Sequence, residues 1–181
     1  MQPIRGFERK RRIRSAAIGT LATLMLATGC RESASGDYLA LTGKIFIFNY
    51  RIADATYLLT LEKKRPVPEG AVVEATLENP AGGRPFVVTQ KVWPKLAQVT
   101  IESPSLTCVR TGKPYAIDIR LKDAGGAVLQ TISTSLHSSM DQSVLPDRPL
   151  IVGPAYERNP DLAGHPDGKL GPSHEPACPA A

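Results

Sequence analysis

The sequence predicts an all-β body: an immunoglobulin-like β-sandwich of about seven short antiparallel strands, with a small barrel as the alternative. Three observations lead there. Apolar and polar residues alternate with period two through several short runs. Turn residues, including two paired glycines, separate those runs. Between residues 38 and 153 no stretch carries a helix-length 3.6-residue period.

The first expected strand, residues 41–48, contains Ile45-Phe46-Ile47-Phe48 and is apolar on both faces. In the second, Tyr57, Leu59 and Leu61 alternate with Leu58, Thr60 and Glu62. In the third, Val73, Ala75 and Leu77 alternate with Glu74, Thr76 and Glu78. The fourth covers residues 86–92; Trp93, just after it, could anchor core or interface alike, with the core as the expectation. The fifth covers residues 97–103. The sixth has the clearest pattern, with Tyr115, Ile117, Ile119 and Leu121 against Ala116, Asp118, Arg120 and Lys122. The seventh covers residues 128–136. Asn79-Pro80-Ala81-Gly82-Gly83 and Asp123-Ala124-Gly125-Gly126 read as tight turns, because paired glycines reach positive φ without a Cβ clash. A glycine loop that cradles phosphate sits between a strand and a helix, and here a strand follows each.

Ahead of this body stands a different kind of segment. Arg9, Lys10, Arg11, Arg12 and Arg14 precede an apolar run of 11 residues, Ala16 to Leu26, and then Leu26-Ala27-Thr28-Gly29-Cys30. Basic head, short apolar run and small residues make the layout of a secretory signal. The run is too short to span a bilayer, which takes about 20 residues. The ending resembles the bacterial lipobox, with Ala27 three residues before the cysteine and Leu26 one further back. The resemblance implies cleavage before Cys30 and lipid on its sulfur. The partner is then a membrane, reached through the anchor, and the location is the periplasmic side of the cell envelope. Arg31 after the cysteine implies the outer membrane by the sorting rule of enteric bacteria.

The signal also explains the charge. Residues 1–29 hold six of the 22 basic and one of the 17 acidic side chains, which leaves 16 of each in the mature part. The remaining basic trio, Lys63-Lys64-Arg65, reads as a solvated strand end, and no nucleic-acid partner is expected. With Cys30 lipidated, Cys108 and Cys178 are an even pair in a compartment where disulfides persist. The alternative is a buried Cys108 and a free Cys178. Residues 31–37 form a short polar tether, reaching about 23 Å when extended. Residues 38–153 form the body, and the proline-rich residues 154–181 read as an irregular tail.

The body is similar to small bacterial lipoproteins grouped with the type III secretion lipoprotein chaperone (pilotin) YscW and with YbaY. The residues that carry this are Pro66-Val67-Pro68-Glu69-Gly70-Ala71-Val72-Val73-Glu74-Ala75-Thr76-Leu77 and the run from Lys113-Pro114-Tyr115 through Gly125-Gly126 to Leu129. The likeness covers residues 40–136, leaving residues 49–64 and the tail outside the pattern. It implies a β-sandwich lipoprotein that binds an envelope protein, and it transfers no particular partner.

Chemistry-bearing motifs are few. His137, His165 and His174 lack the spacing and rigid frame of a zinc site, so no metal or cofactor is expected. No G-x-S-x-G, H-E-x-x-H or nucleotide-binding glycine loop occurs. His137-Ser138-Ser139-Met140-Asp141 reads as a polar loop rather than a triad, which takes its members from separated positions. A non-enzymatic binding or assembly factor is therefore expected, with an envelope polysaccharide-binding module as the alternative. The candidate contact surface is an exposed strip of Phe46, Phe48 and Tyr50, because one face of a sandwich strand normally meets water. The competing expectation is that both faces are covered, one of them by the loop at residues 144–152.

Overall fold

The computed structural model describes residues 36–171 and 178–179 of the 181-residue chain. Seven strands follow one another through the body: β1 (Leu39–Asn49), β2 (Asp54–Lys63), β3 (Val72–Leu77), β4 (Phe86–Lys91), β5 (Gln98–Glu102), β6 (Pro114–Lys122) and β7 (Val128–His137). They form two antiparallel sheets, one in the order β1-β2-β5 and the other β4-β3-β6-β7. The sheets do not share a hydrogen-bonded edge, so the fold is a sandwich and the barrel alternative falls. Constant-type immunoglobulin sandwiches pair the fourth strand with the fifth. Here β4 pairs β3 instead.

The alternating residues build the core. Tyr57, Leu59 and Leu61 from β2 are fully buried, as are Val73, Ala75 and Leu77 from β3. From β6, Tyr115, Ile117, Ile119 and Leu121 join them. Burying each such leucine or isoleucine contributes about 2 kcal/mol. Tyr115 does more than fill space. Its hydroxyl accepts a 2.7 Å hydrogen bond from the Arg110 N–H. A tyrosine at the start of the sixth strand, bonded to backbone a few residues upstream, is the tyrosine corner of immunoglobulin-like sandwiches. Residues 49–64, outside the pilotin-like pattern, supply β2, the central strand of its sheet.

Both glycine-pair turns have the expected backbone. Gly82, Gly83 and Gly126 lie at φ values of 84°, 81° and 85°, where a side chain would be strained. The Asp123 carboxylate ties its turn by accepting from the N–H groups of Gly125 and Ala127, each at 2.9 Å.

Beyond β7 the chain makes a 3₁₀ turn at Gln142–Val144 and a two-stranded ribbon of β8 (Ile151–Val152) and β9 (Glu157–Arg158). A second 3₁₀ turn follows at Pro160–Leu162. Composition alone makes this region irregular, yet Leu145 and Leu162 are buried. Lys169 acts as a clasp, donating to the Ser143 carbonyl at 2.6 Å and to the Leu145 carbonyl. Its ammonium also lies 3.5 Å from the Asp147 carboxylate.

Candidate functional site

The expected strip of Phe46, Phe48 and Tyr50 does not form one exposed surface. Phe46 and Phe48 pack against the core, and the Phe46 ring lies 4.7 Å from Tyr57 and 5.5 Å from Tyr115. The reason is a register shift in β1 between Leu41 and Gly43. One extra residue there reverses the inward parity, so Leu39 and Leu41 face the core before it and Phe46 and Phe48 after it. Ile45, on the opposite parity, is 51% exposed. Tyr50 lies beyond the strand, exposed, and its hydroxyl donates to the Asp167 carbonyl at 3.3 Å. The exposed apolar side chains around this strand are therefore Ile45, Tyr50 and Ile52. Glycine inside a strand is the sequence signal for the bulge.

β1 is also an edge strand. Its beginning is plugged by Gln130 of β7, whose side-chain oxygen accepts from the N–H groups of Tyr38 and Leu39 at 2.9 Å each. The Gln130 amide nitrogen donates to the Leu39 carbonyl at 2.8 Å. Lys44 reaches across in the other direction, donating to Thr134 Oγ1 at 2.7 Å and the Ser135 carbonyl at 2.6 Å. Among the described residues no side chain plugs the edge from Ile45 to Asn49 in this way. The loop after β7 comes nearest at its end, where the Leu150 N–H donates to the Arg51 carbonyl at 2.9 Å.

At the end of the sandwich that carries the β3–β4 turn, Cys108 and Cys178 form a disulfide with a Cα–Cα distance of 5.4 Å. The Arg110 guanidinium donates to the Pro179 carbonyl at 3.1 Å, which holds the residue after the bridge. Pro179 then forms one wall of an open groove of about 430 Å³, opposite Pro80, Gly82 and Pro85. Thr76, Ala116 and Asp118 line it as well. Glu78 organises its rim by accepting from the Ala116 N–H at 2.9 Å and pairing with Lys113 at 3.2 Å. Cys30 lies outside the described residues.

The polar loop after β7 uses its side chains on backbone. The Ser138 hydroxyl donates to the Met140 carbonyl at 2.6 Å, and Asp141 accepts from the Thr111 N–H at 2.9 Å. No group of three or more potential metal ligands converges among the described residues. No helix among them is long and apolar enough to cross a membrane. Two of the aromatic rings a glycan platform would draw on lie apart: Tyr115 is buried in β6, while Tyr156 stands between β8 and β9.

Trp93 is not a core residue. It is 50% exposed, because Val92 takes the buried position and the turn at Pro94 carries the indole outward. Around it the fold brings together cations that are far apart in sequence: Lys63, Lys64 and Arg65 from the end of β2 onward with Lys91 and Lys95 from the end of β4 onward. The trio alone reads as a strand end, and only the sheet topology shows that it has company.

No family model matches the chain, and no curated protein matches it. Among solved structures it is similar to an endonuclease/exonuclease/phosphatase from Beutenbergia cavernae DSM 12333, at 16% identity and a TM-score of 0.29. The match covers 54% of this chain and 28% of that one, so the chain spans less than a third of that protein's length. Likeness at this level carries no argument about function.

Proposed function

We propose that this chain is a lipid-anchored protein of the cell envelope, a non-enzymatic binding or assembly factor for an envelope protein. One observation carries the reading: a basic head, an 11-residue apolar run and a lipobox-like Leu26-Ala27-Thr28-Gly29-Cys30 stand just ahead of a β-sandwich whose first strand begins at Leu39. The Cys108–Cys178 bridge supports it, since disulfides persist outside the cytoplasm. The likeness of residues 40–136 to pilotin-like lipoproteins points the same way.

Its mechanism is positional. One acyl chain holds only reversibly, whereas the triacyl anchor of bacterial lipoproteins holds firmly. A domain confined to the membrane meets other membrane proteins at a raised effective concentration. The contact surface we assign is the edge of β1 at residues 45–49, flanked by exposed Ile45, Tyr50 and Ile52. An extended segment of the partner would add there as a further strand, its backbone pairing with the edge.

The test is a membrane pull-down with tagged wild type, Cys30→Ser and Ile45→Lys, with captured proteins identified by mass spectrometry. The expected outcome is an envelope protein enriched with wild type and lost with both variants. Correct anchoring of wild type without any specific partner would overturn the assembly-factor reading.

A further inference from the structure

The sandwich has two ends, and the tether enters at one of them. The Tyr38 carbonyl accepts from the Lys64 N–H at 2.9 Å, so the chain arriving from Cys30 meets the body beside the β2–β3 turn. The β4–β5 turn lies at the same end. Lys63 joins the two by donating to the carbonyls of Trp93 and Pro94 at 2.9 and 2.8 Å. Lys91 sits 4.4 Å from the centre of the Trp93 ring, and Arg65 sits 3.5 Å from that of Tyr38. Trp93 is 50% and Leu96 54% exposed. Five of the mature chain's 16 cations gather here; Glu62 and Glu69 flank the trio in sequence, and Asp37 precedes Tyr38. Glu62 pairs with Lys64 at 2.7 Å.

We infer that this end, comprising Lys63, Lys64, Lys91, Trp93, Lys95 and Leu96, docks on the anionic phospholipid surface that holds the anchor. The inference rests on the lipid-anchor reading and deepens it by orienting the domain. Lysines beside an exposed indole and an exposed leucine match a bilayer's two outer layers. The cations meet anionic headgroups, and the indole settles at the water–lipid interface. A soluble polyanion would engage the lysines but leaves Leu96 without a role. Geometry permits it, because a tether reaching at most about 23 Å lets this end come within the range of about 8 Å over which attraction to the headgroups acts. Docked this way, the domain turns the groove beside the disulfide, at the opposite end of the sandwich, toward the periplasm.

Trp93 is the sole tryptophan of the chain, so native fluorescence reads its position directly. The full chain, processed in cells and reconstituted into vesicles, is compared in phosphatidylglycerol-containing and pure phosphatidylcholine bilayers carrying brominated lipid. In anionic vesicles Trp93 emission should shift to the blue and be quenched. The quenching should fall severalfold in pure phosphatidylcholine, at high salt, or in Lys91→Glu/Lys95→Glu, while the protein still floats with the vesicles. Lys91 and Lys95 are exposed, and a circular dichroism spectrum equal to wild type confirms that the variant folds. Unquenched Trp93 in anchored wild type overturns the docking and leaves the anchor standing. Trp93 that responds to a soluble acidic polysaccharide but not to vesicles overturns it in favour of a glycan. If mass spectrometry finds Cys30 without lipid, the anchor reading falls. Salt-sensitive quenching of that unlipidated chain by anionic vesicles would still support the docking end, and no quenching would sink it.

Discussion

Tyr57 sits at the centre of the core with its one polar atom accounted for. It is fully buried, and its hydroxyl donates to the Glu78 carbonyl at 2.9 Å. Burial, and then electrostatic repulsion from Glu78 and Tyr115, disfavour the phenolate and push the Tyr57 pKa well above the usual tyrosine range. The unfolded chain releases this proton near pH 10, the folded chain only at higher pH. Stability from Tyr57 is therefore complete below about pH 10 and is lost as pH rises through the folded value. Tyr57→Phe should cost about 1 kcal/mol at pH 7 through the missing hydrogen bond. Because the variant has no phenol to ionise, its deficit should close between about pH 10 and 11, where one pH unit is worth about 1.4 kcal/mol. Urea melts at pH 7 and pH 11 check this, and a deficit that stays constant would refute the linkage.

At the scale of elements the edges matter most. β1 and β7 lie side by side without a shared ladder, and Gln130 supplies three hydrogen bonds that a neighbouring strand would otherwise make. Gln130→Ala should release the start of β1. Amide exchange at Leu39 should speed up about tenfold, the equivalent of about 1.4 kcal/mol, while β6 amides keep their protection. Equal exchange in both proteins would show that Gln130 is dispensable. The strands themselves were legible, because each inward residue of β2, β3 and β6 stands two positions from the next. Their order was not. Which strand β4 pairs depends on contacts between distant segments, and the grouping of Lys63 and Lys64 with Lys91 and Lys95 follows from that order. The Phe46/Phe48 strip is covered for a local reason that alternation hides, since period-two reasoning assumes an unbroken register and the shift at Gly43 breaks it. Trp93 was misread because a large aromatic is assigned to the core by its size, while the turn at Pro94 decides its direction.

The whole molecule is closed by a bond that composition suggested and topology explains. Cys108 lies between β5 and β6, and Cys178 lies 70 residues later, so the bridge encloses β6, β7 and the region after them. In the chain-entropy model, closing a loop of that length stabilises the fold by about 4 kcal/mol, through the states it removes from the unfolded chain. The folded state has local ties of its own at both ends of the loop. Gln142 brackets the residues before and after Cys108, accepting from the Val109 N–H at 3.1 Å and donating to the Leu106 carbonyl at 2.6 Å. Lys169 clasps the carbonyls of Ser143 and Leu145 independently of either cysteine. A Cys108→Ser/Cys178→Ser variant should thus keep the wild-type β-sheet spectrum at 25 °C yet melt on the order of 10 °C lower. Reduction of the wild type should lower its melting temperature to the same value. Reducing agent should leave the variant unmoved, which separates loss of the bridge from damage by the serines. A melting temperature unchanged by reduction would mean that the local ties alone already hold residues 138–171 to the sandwich.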